Sequence, residues 1–199
     1  MAPPITTSRC SPKPLLQPES EMVMDDARIV ELIDRERIRD CLYRYCRGVD
    51  RSDVESLRSA YWPDATDQHG VHNGSAEGFI EWAVNYFPYL ERSIHQLGNI
   101  LIEFRDGGAA VETYWHAYQR GPRFNADGTM TPVQSVVLAG RYVDWFEQRD
   151  GEWRIARRVV VFDRSEVLPP QTPPAGSGAR LTIGRPFPDD AIYTLLAQS

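Results

Sequence analysis

SIHQLGNILIEFRDGGAAVETYWHAYQR, residues 93–120, is the stretch that decides the fold. Ser93–Phe104 and Ala109–Arg120 are rich in β-branched and aromatic residues at a period of two, and Arg105-Asp106-Gly107-Gly108 between them is a hairpin signal. The pattern recurs downstream, where Val133–Gln148 and Glu152–Arg164 flank Arg149-Asp150-Gly151. The polar loop Gly121–Thr131, with Pro122, Asp127 and Gly128, joins the two hairpins. Four long antiparallel strands are therefore expected in the second half of the domain.

Upstream of Ser93 the period is helical. Ile29, Leu32, Ile33, Ile38, Leu42, Tyr45 and Val49 recur at helix spacing behind an N-cap at Asp25 or Asp26. A slip in register near Glu36 predicts a break between a lead-in helix and the main one. Gly48 is expected to end that helix, leaving Asp50 just past it. Ser52 or Asp53 caps a second short helix through Leu57 to Tyr61, stopped by Pro63. A loop or short strand runs through Asp67, His69 and His72 to Gly74. Ser75 then opens a third helix, whose apolar face is Phe79, Ile80, Trp82, Ala83, Tyr86 and Phe87 and which Pro88 ends. Three helices followed by four long strands read as an α+β domain, with the helices packed on one face of a sheet curled enough to leave a hollow.

The 199 residues suit one domain plus tails. Residues 1–24, rich in Pro, Ser and Thr, are expected to be a flexible extension; 25–166 form the domain; and 167–199 form a Pro/Gly-rich extension ending in a short docked segment at Ala191–Leu196. The net charge of −6 argues against nucleic acid, which needs a basic face. Cys10, Cys41 and Cys46 lack metal spacing and fit reduced thiols in the cytoplasm. The N-terminus has no apolar core like that of a signal peptide, and no segment is long enough to cross a membrane.

His95 and Asp50 are the leading candidates for chemistry. A helix laid over the sheet would bring them together as a dyad in which the carboxylate orients the imidazole and stabilises its cation. A structural or surface histidine is the plain alternative. His116, in Tyr114-Trp115-His116-Ala117-Tyr118, is either a second polar group of the hollow or a surface or interface residue. Trp62, Phe87 and Tyr142 either line a pocket for a ring-shaped molecule or simply fill the core. Asp67-x-His69-x-x-His72 invites a metal reading, but its polar Gly-containing context favours a solvated loop. No metal site, nucleotide fingerprint or cofactor is expected.

Taken in order, Gly48-Val49-Asp50, Tyr61-Trp62-Pro63-Asp64-Ala65, Ile94-His95-Gln96-Leu97-Gly98-Asn99, Gly140-Arg141-Tyr142 and Arg149-Asp150-Gly151-Glu152-Trp153 resemble the SnoaL-like branch of the NTF2-like superfamily, over roughly residues 27–164. That resemblance implies an α+β cone. Within the branch, scytalone dehydratase, bile acid 7α-dehydratase and hexachlorocyclohexane dehydrochlorinase eliminate through an Asp–His dyad. By the same resemblance Asp50 takes the carboxylate position and His95 that of the base, Tyr45 matches a polar pocket position, and Arg158 matches a pocket arginine. Whether Arg158 shares a face with Tyr142 depends on the Arg149–Gly151 turn: a three-residue loop pairs them, and a two-residue turn shifts the register by one.

The expected function is a cofactor-independent lyase of dehydratase type, or an isomerase, acting on a hydrophobic ring-containing small molecule. A binding or scaffolding subunit of the same fold and a polyketide-type cyclase remain as alternatives. Exposed apolar residues on the outer sheet face point to a homo-dimer or homo-trimer.

Overall fold

The computed structural model describes residues 18–70, 72–125, 127–170 and 182–198. The chain divides into two compact units, Met1–Ile33 and Asp34–Ser199. Most of the flexible extension expected over residues 1–24 and most of the Pro/Gly linker lie outside the described residues. The helix begins earlier than the sequence suggests: α1 runs unbroken over Pro18–Arg51, with no interruption at Glu36. The slip in apolar register is absorbed by exposure, since Ile29, Leu32 and Ile33 are exposed whereas Ile38, Leu42 and Tyr45 are fully buried.

In the second unit α1 ends at Ser52, whose φ of 54° breaks the helical path. Gly48 is not the cap that the sequence suggested. A Cβ at Gly48 would lie 2.6 Å from the backbone of Leu57, so glycine is what lets α2 (Val54–Ser59) cross so closely. Asp53 caps α2 by accepting from the amide of Ser56 at 3.0 Å. Tyr61, expected to end the second helix, instead opens strand β1 (Tyr61–Gln68), and the stretch expected as a loop or short strand pairs as a hairpin of β1 with β2 (Asn73–Ser75). Ser75 then caps α3 (Ala76–Tyr86), and Phe87–Tyr89 closes it as a turn of 3-10 helix carrying Pro88.

The four long strands are β3 (Arg92–Arg105), β4 (Gly108–Gly121), β5 (Gln134–Arg149) and β6 (Glu152–Val167). Sheet order is β2-β1-β6-β5-β4-β3, all antiparallel except the β1–β6 pair. The curved sheet with its helices is the α+β cone expected from the sequence. Bulges control which residues point inward. On β3 the inner face carries Ser93, His95 and Leu97, and after an irregularity at Gly98–Asn99 it carries Ile100, Ile102 and Phe104. The β5–β6 connection is a two-residue turn, Asp150-Gly151, with φ of 51° and 81°. A bulge between the Trp145 and Phe146 pairings then shifts β6 by one residue. Asp144 faces Arg158 and Tyr142 faces Val160, so Arg158 joins the inward face of Tyr142 in spite of the short turn. The C-terminal α4 (Ala191–Leu196) docks where α1 meets α2: the Tyr193 hydroxyl donates to Asp53 Oδ2 at 2.8 Å and Arg51 pairs with Asp190 at 3.3 Å.

Candidate active site

Asp50 lies in the last turn of α1, not past its end. Helix carbonyls point outward there and disfavour an anion, so the carboxylate needs donors. The edge strand β3 supplies three: the Ser93 hydroxyl at 2.9 Å and His95 Nδ1 at 2.6 Å, both to Oδ1, and the His95 amide at 2.7 Å to Oδ2. Burial pushes the Asp50 carboxyl up, but the imidazole and the other donors outweigh it and leave it below the usual carboxylate range. An anion on Oδ1 favours the proton on Nδ1, and in the neutral ring that leaves Nε2 with its lone pair. The two side chains are 8% and 12% exposed, so their interaction is only weakly screened. Ser93, two residues before His95, was missed in the sequence, although a period of two places it on the same face.

His95 lines a cavity of about 430 Å³ between α3, the 3-10 turn and the inner sheet face. Phe79, Trp82, Tyr86 and Phe87 form one wall, and Trp115, Tyr142, Val160 and Phe162 form the other. Trp115 stacks on Tyr142, with ring centroids 5.4 Å apart and planes 17° apart. Arg123, Gln119, Gln134 and Ser165 add polar lining. Tyr45 reaches the cavity from α1. Burial pushes its phenol far above the ordinary range, against the pull of Arg158, so it stays an O–H donor at neutral pH.

The structure brings His95, Tyr45, Tyr142 and Phe87 to the lining of this cavity, with Asp50 behind His95. Three other residues lie elsewhere. His116 is exposed, paired with Gln96 and Ala139, because the inward residues of β4 are the odd-numbered Thr113, Trp115 and Ala117. Trp62 is half-buried against the core away from the cavity lining, where its indole N–H donates to the Glu147 carbonyl at 3.1 Å and Arg149 and Arg154 lie over its ring. Neither lines the cavity. Arg158 faces inward but sits beneath the lining, fully buried between the rings of Tyr45 and Tyr142, 4.1 Å from each centroid. Its Nε and Nη2 donate to Asp144 at 2.8 and 2.7 Å. Among the described residues no cluster of three or more His, Cys, Asp or Glu could hold a metal.

Sequence reasoning passed over one further group. His69, set aside as part of a solvated loop, lines the cavity and stacks on Phe79 at 4.3 Å. Its Nδ1 is 3.3 Å from Asp67 Oδ1, and Tyr61 donates to Asp67 Oδ2 at 2.6 Å. The signal was the period of two from Asp67 to His69. His72 does not join them; its Nε2 contacts the Ser75 carbonyl at 2.9 Å.

Helices packed on a curled sheet around an apolar cavity with a polar pair at one end define an NTF2-like cone protein. The chain belongs to the family of SnoaL-like domains, whose pattern matches residues 30–159. It is 26% identical over 130 residues to hexachlorocyclohexane dehydrochlorinase 1 of Sphingobium indicum, covering 63% of this chain and 79% of that protein. The type 2 hexachlorocyclohexane dehydrochlorinase LinA superposes with a TM-score of 0.61 at 24% identity, over 73% of this chain and 97% of the other. A candidate scytalone dehydratase from Novosphingobium aromaticivorans gives 0.59 at 17% identity, over 71% and 91%. At these identities the two structural likenesses establish the shared fold.

Proposed function

We propose that the protein is a cofactor-independent lyase of dehydratase type, or an isomerase, in which His95 removes a proton from carbon. The observation that carries this reading is Asp50, fixed by the Ser93 hydroxyl and the His95 amide so that its Oδ1 meets His95 Nδ1 at 2.6 Å, on a ring at the wall of an apolar cavity. His95 Nε2 takes the proton, and Asp50 stabilises the imidazolium that results. The phenol of Tyr45 donates to the substrate oxygen on which charge builds as the C–H bond breaks. Arg158 acts through Tyr45: its buried cation, held by Asp144, lies against that ring and favours charge next to it. Departure of a hydroxide, assisted by a proton, or of a halide from the adjacent carbon completes an elimination; return of the proton at another carbon completes an isomerisation. The aromatic walls suit a hydrophobic ring, and the kinship with a dehydrochlorinase supports the reaction class.

The exposed outer-face residues Ile94, Leu101, Tyr114 and Val143 are the surface that association into a homo-dimer or homo-trimer would cover. The free, buried thiols of Cys41 and Cys46 suit a reducing cytoplasm, and no helix among the described residues is long and apolar enough to cross a membrane.

The test is a panel of ring compounds with an acidic C–H beside a carbonyl or halide-bearing carbon, followed for release of water or halide and for proton exchange with solvent. Wild type is expected to turn over at least one member, with His95→Gln and Asp50→Asn each slower by about a thousandfold. Turnover that survives Asp50→Asn undiminished contradicts the dyad. The binding-subunit alternative predicts tight ligand binding and no proton exchange at all.

A further inference from the structure

His95 is not the only histidine at the cavity. His95 stands on β3 and His69 follows β1, and β6, β5 and β4 lie between those strands in the sheet. The sheet's curvature brings both rings to one hollow, where Trp115 and Phe162 lie between them: ring centroids step from His95 to Trp115 at 6.4 Å, on to Phe162 at 5.4 Å, and on to His69 at 6.4 Å.

Asp67 is buried, with Oδ2 occupied by the Tyr61 hydroxyl; its Oδ1 faces His69 Nδ1 at 3.3 Å, a charge contact whose angles fall short of a hydrogen bond and which leaves neither atom another partner. The ring nitrogen facing a carboxylate carries the proton, since a lone pair there would be repelled. Burial holds the His69 pKa below its ordinary value, with Asp67 opposing, so the ring is neutral near pH 7. A neutral imidazole protonated at Nδ1 has a bare Nε2, which can only accept. The Phe79 stack holds the ring plane, and the amide of His69 is fixed by the His72 carbonyl at 2.7 Å. The result is an acceptor on a second ring that lines the same cavity as His95.

We propose that the Asp67–His69 pair is a second pole of the cavity, and that the molecule it takes is an aromatic or fused-ring compound bearing a hydroxyl at the edge remote from its acidic carbon, with His69 Nε2 accepting from that hydroxyl. This rests on the cavity being the substrate site, and it narrows the substrate class. Asp67 is a positioning residue: it sets the tautomer of His69 and does not reach the ligand.

The experiment compares naphthol with its methyl ether, which has the same ring and no donor, with binding read from quenching of the cavity tryptophans Trp82 and Trp115. Wild type is expected to hold naphthol about tenfold more tightly, the value of one hydrogen bond in a desolvated site. His69→Phe, which keeps the stack on Phe79, is expected to bind both probes alike, whereas His95→Ala keeps the preference. Asp67→Asn turns an amide donor toward Nδ1, reverses the tautomer and is expected to abolish the preference even if His69→Phe proves too unstable to study. In labelled wild-type protein, naphthol should shift the Nε2 resonance of His69. A preference that survives His69→Phe or Asp67→Asn, or that disappears only in His95→Ala, overturns the inference, as does an unmoved Nε2 resonance. A wild-type cavity that binds both probes alike overturns it alone; one that binds neither overturns it together with the substrate-site reading.

Discussion

Replacing Arg158 by methionine separates structure from chemistry at the centre of the cone. The guanidinium makes two hydrogen bonds to Asp144, and both side chains are wholly buried. Methionine fills most of the space but leaves the Asp144 carboxylate with no cation, and removing one partner of such a pair costs about 3–5 kcal/mol. The sandwich between Tyr45 and Tyr142 adds a desolvated cation–π contact, worth about 1–2 kcal/mol. At about 2–4 °C per kcal/mol for a chain of this size, thermal unfolding should fall by roughly 10 °C or more. In urea the midpoint should drop by about 2 M with the slope unchanged. Asp144→Leu combined with Arg158→Met removes both charges and should recover most of the loss, because an apolar pair of similar volume replaces a buried ion pair at little cost. A loss below about 1 kcal/mol in the single variant, or a double variant no better than the single, would refute the clamp and return Arg158 to the list of groups free to meet a substrate.

Three other outcomes follow from the same geometry. Asp50 and Asp67 both have carboxyl pKa values held below the ordinary range, so their stabilisation is fully present above about pH 4 and is lost as the pH falls through the lowered values; acid denaturation curves of Asp50→Asn should be flatter in that limb than those of wild type. Gly48→Ala gains about 1 kcal/mol of helix propensity but drives a Cβ to 2.6 Å from the Leu57 backbone, so a net loss of about 2 kcal/mol is expected in thermal unfolding, together with a loosened Asp50 two residues on. Tyr193→Phe removes the hydroxyl that reaches Asp53, and urea titration should show a loss of about 1 kcal/mol or less, since Ser56 still holds that carboxylate.

The parts of the fold that were legible in the sequence are those fixed by local chemistry. Gly107 and Gly151 adopt positive φ at the two hairpin turns, Ser75 caps the helix it was expected to cap, and of the two candidates Ser52 and Asp53 it is Asp53 that caps α2. Strand β1 was less visible, because Tyr61-Trp62-Pro63 reads as the end of a helix and only pairing to β6, through the Ile155 amide and the Ala60 carbonyl at 2.9 Å, makes it a strand. Inward facing was legible only as far as register was. Turn length alone left the partner of Arg158 open, and the bulge that sets it opposite Asp144 on the inward face is a tertiary accommodation with no residue signature. Trp62 and Trp115 look alike as letters, and strand position sends one under the Arg149 and Arg154 guanidiniums and the other to the cavity. His69 looked solvated because the sequence showed its polar neighbours and not Phe79, which covers it.

The most direct measurement is NMR of the labelled His95 ring nitrogens in wild type and in Asp50→Asn. Wild type should show a protonated Nδ1 whose proton is slow to exchange and shifted downfield by its 2.6 Å bond to Asp50, with a bare Nε2; in Asp50→Asn that proton signal should disappear. A ring protonated at Nε2 in wild type, or a spectrum unchanged by losing the carboxylate, would contradict the dyad.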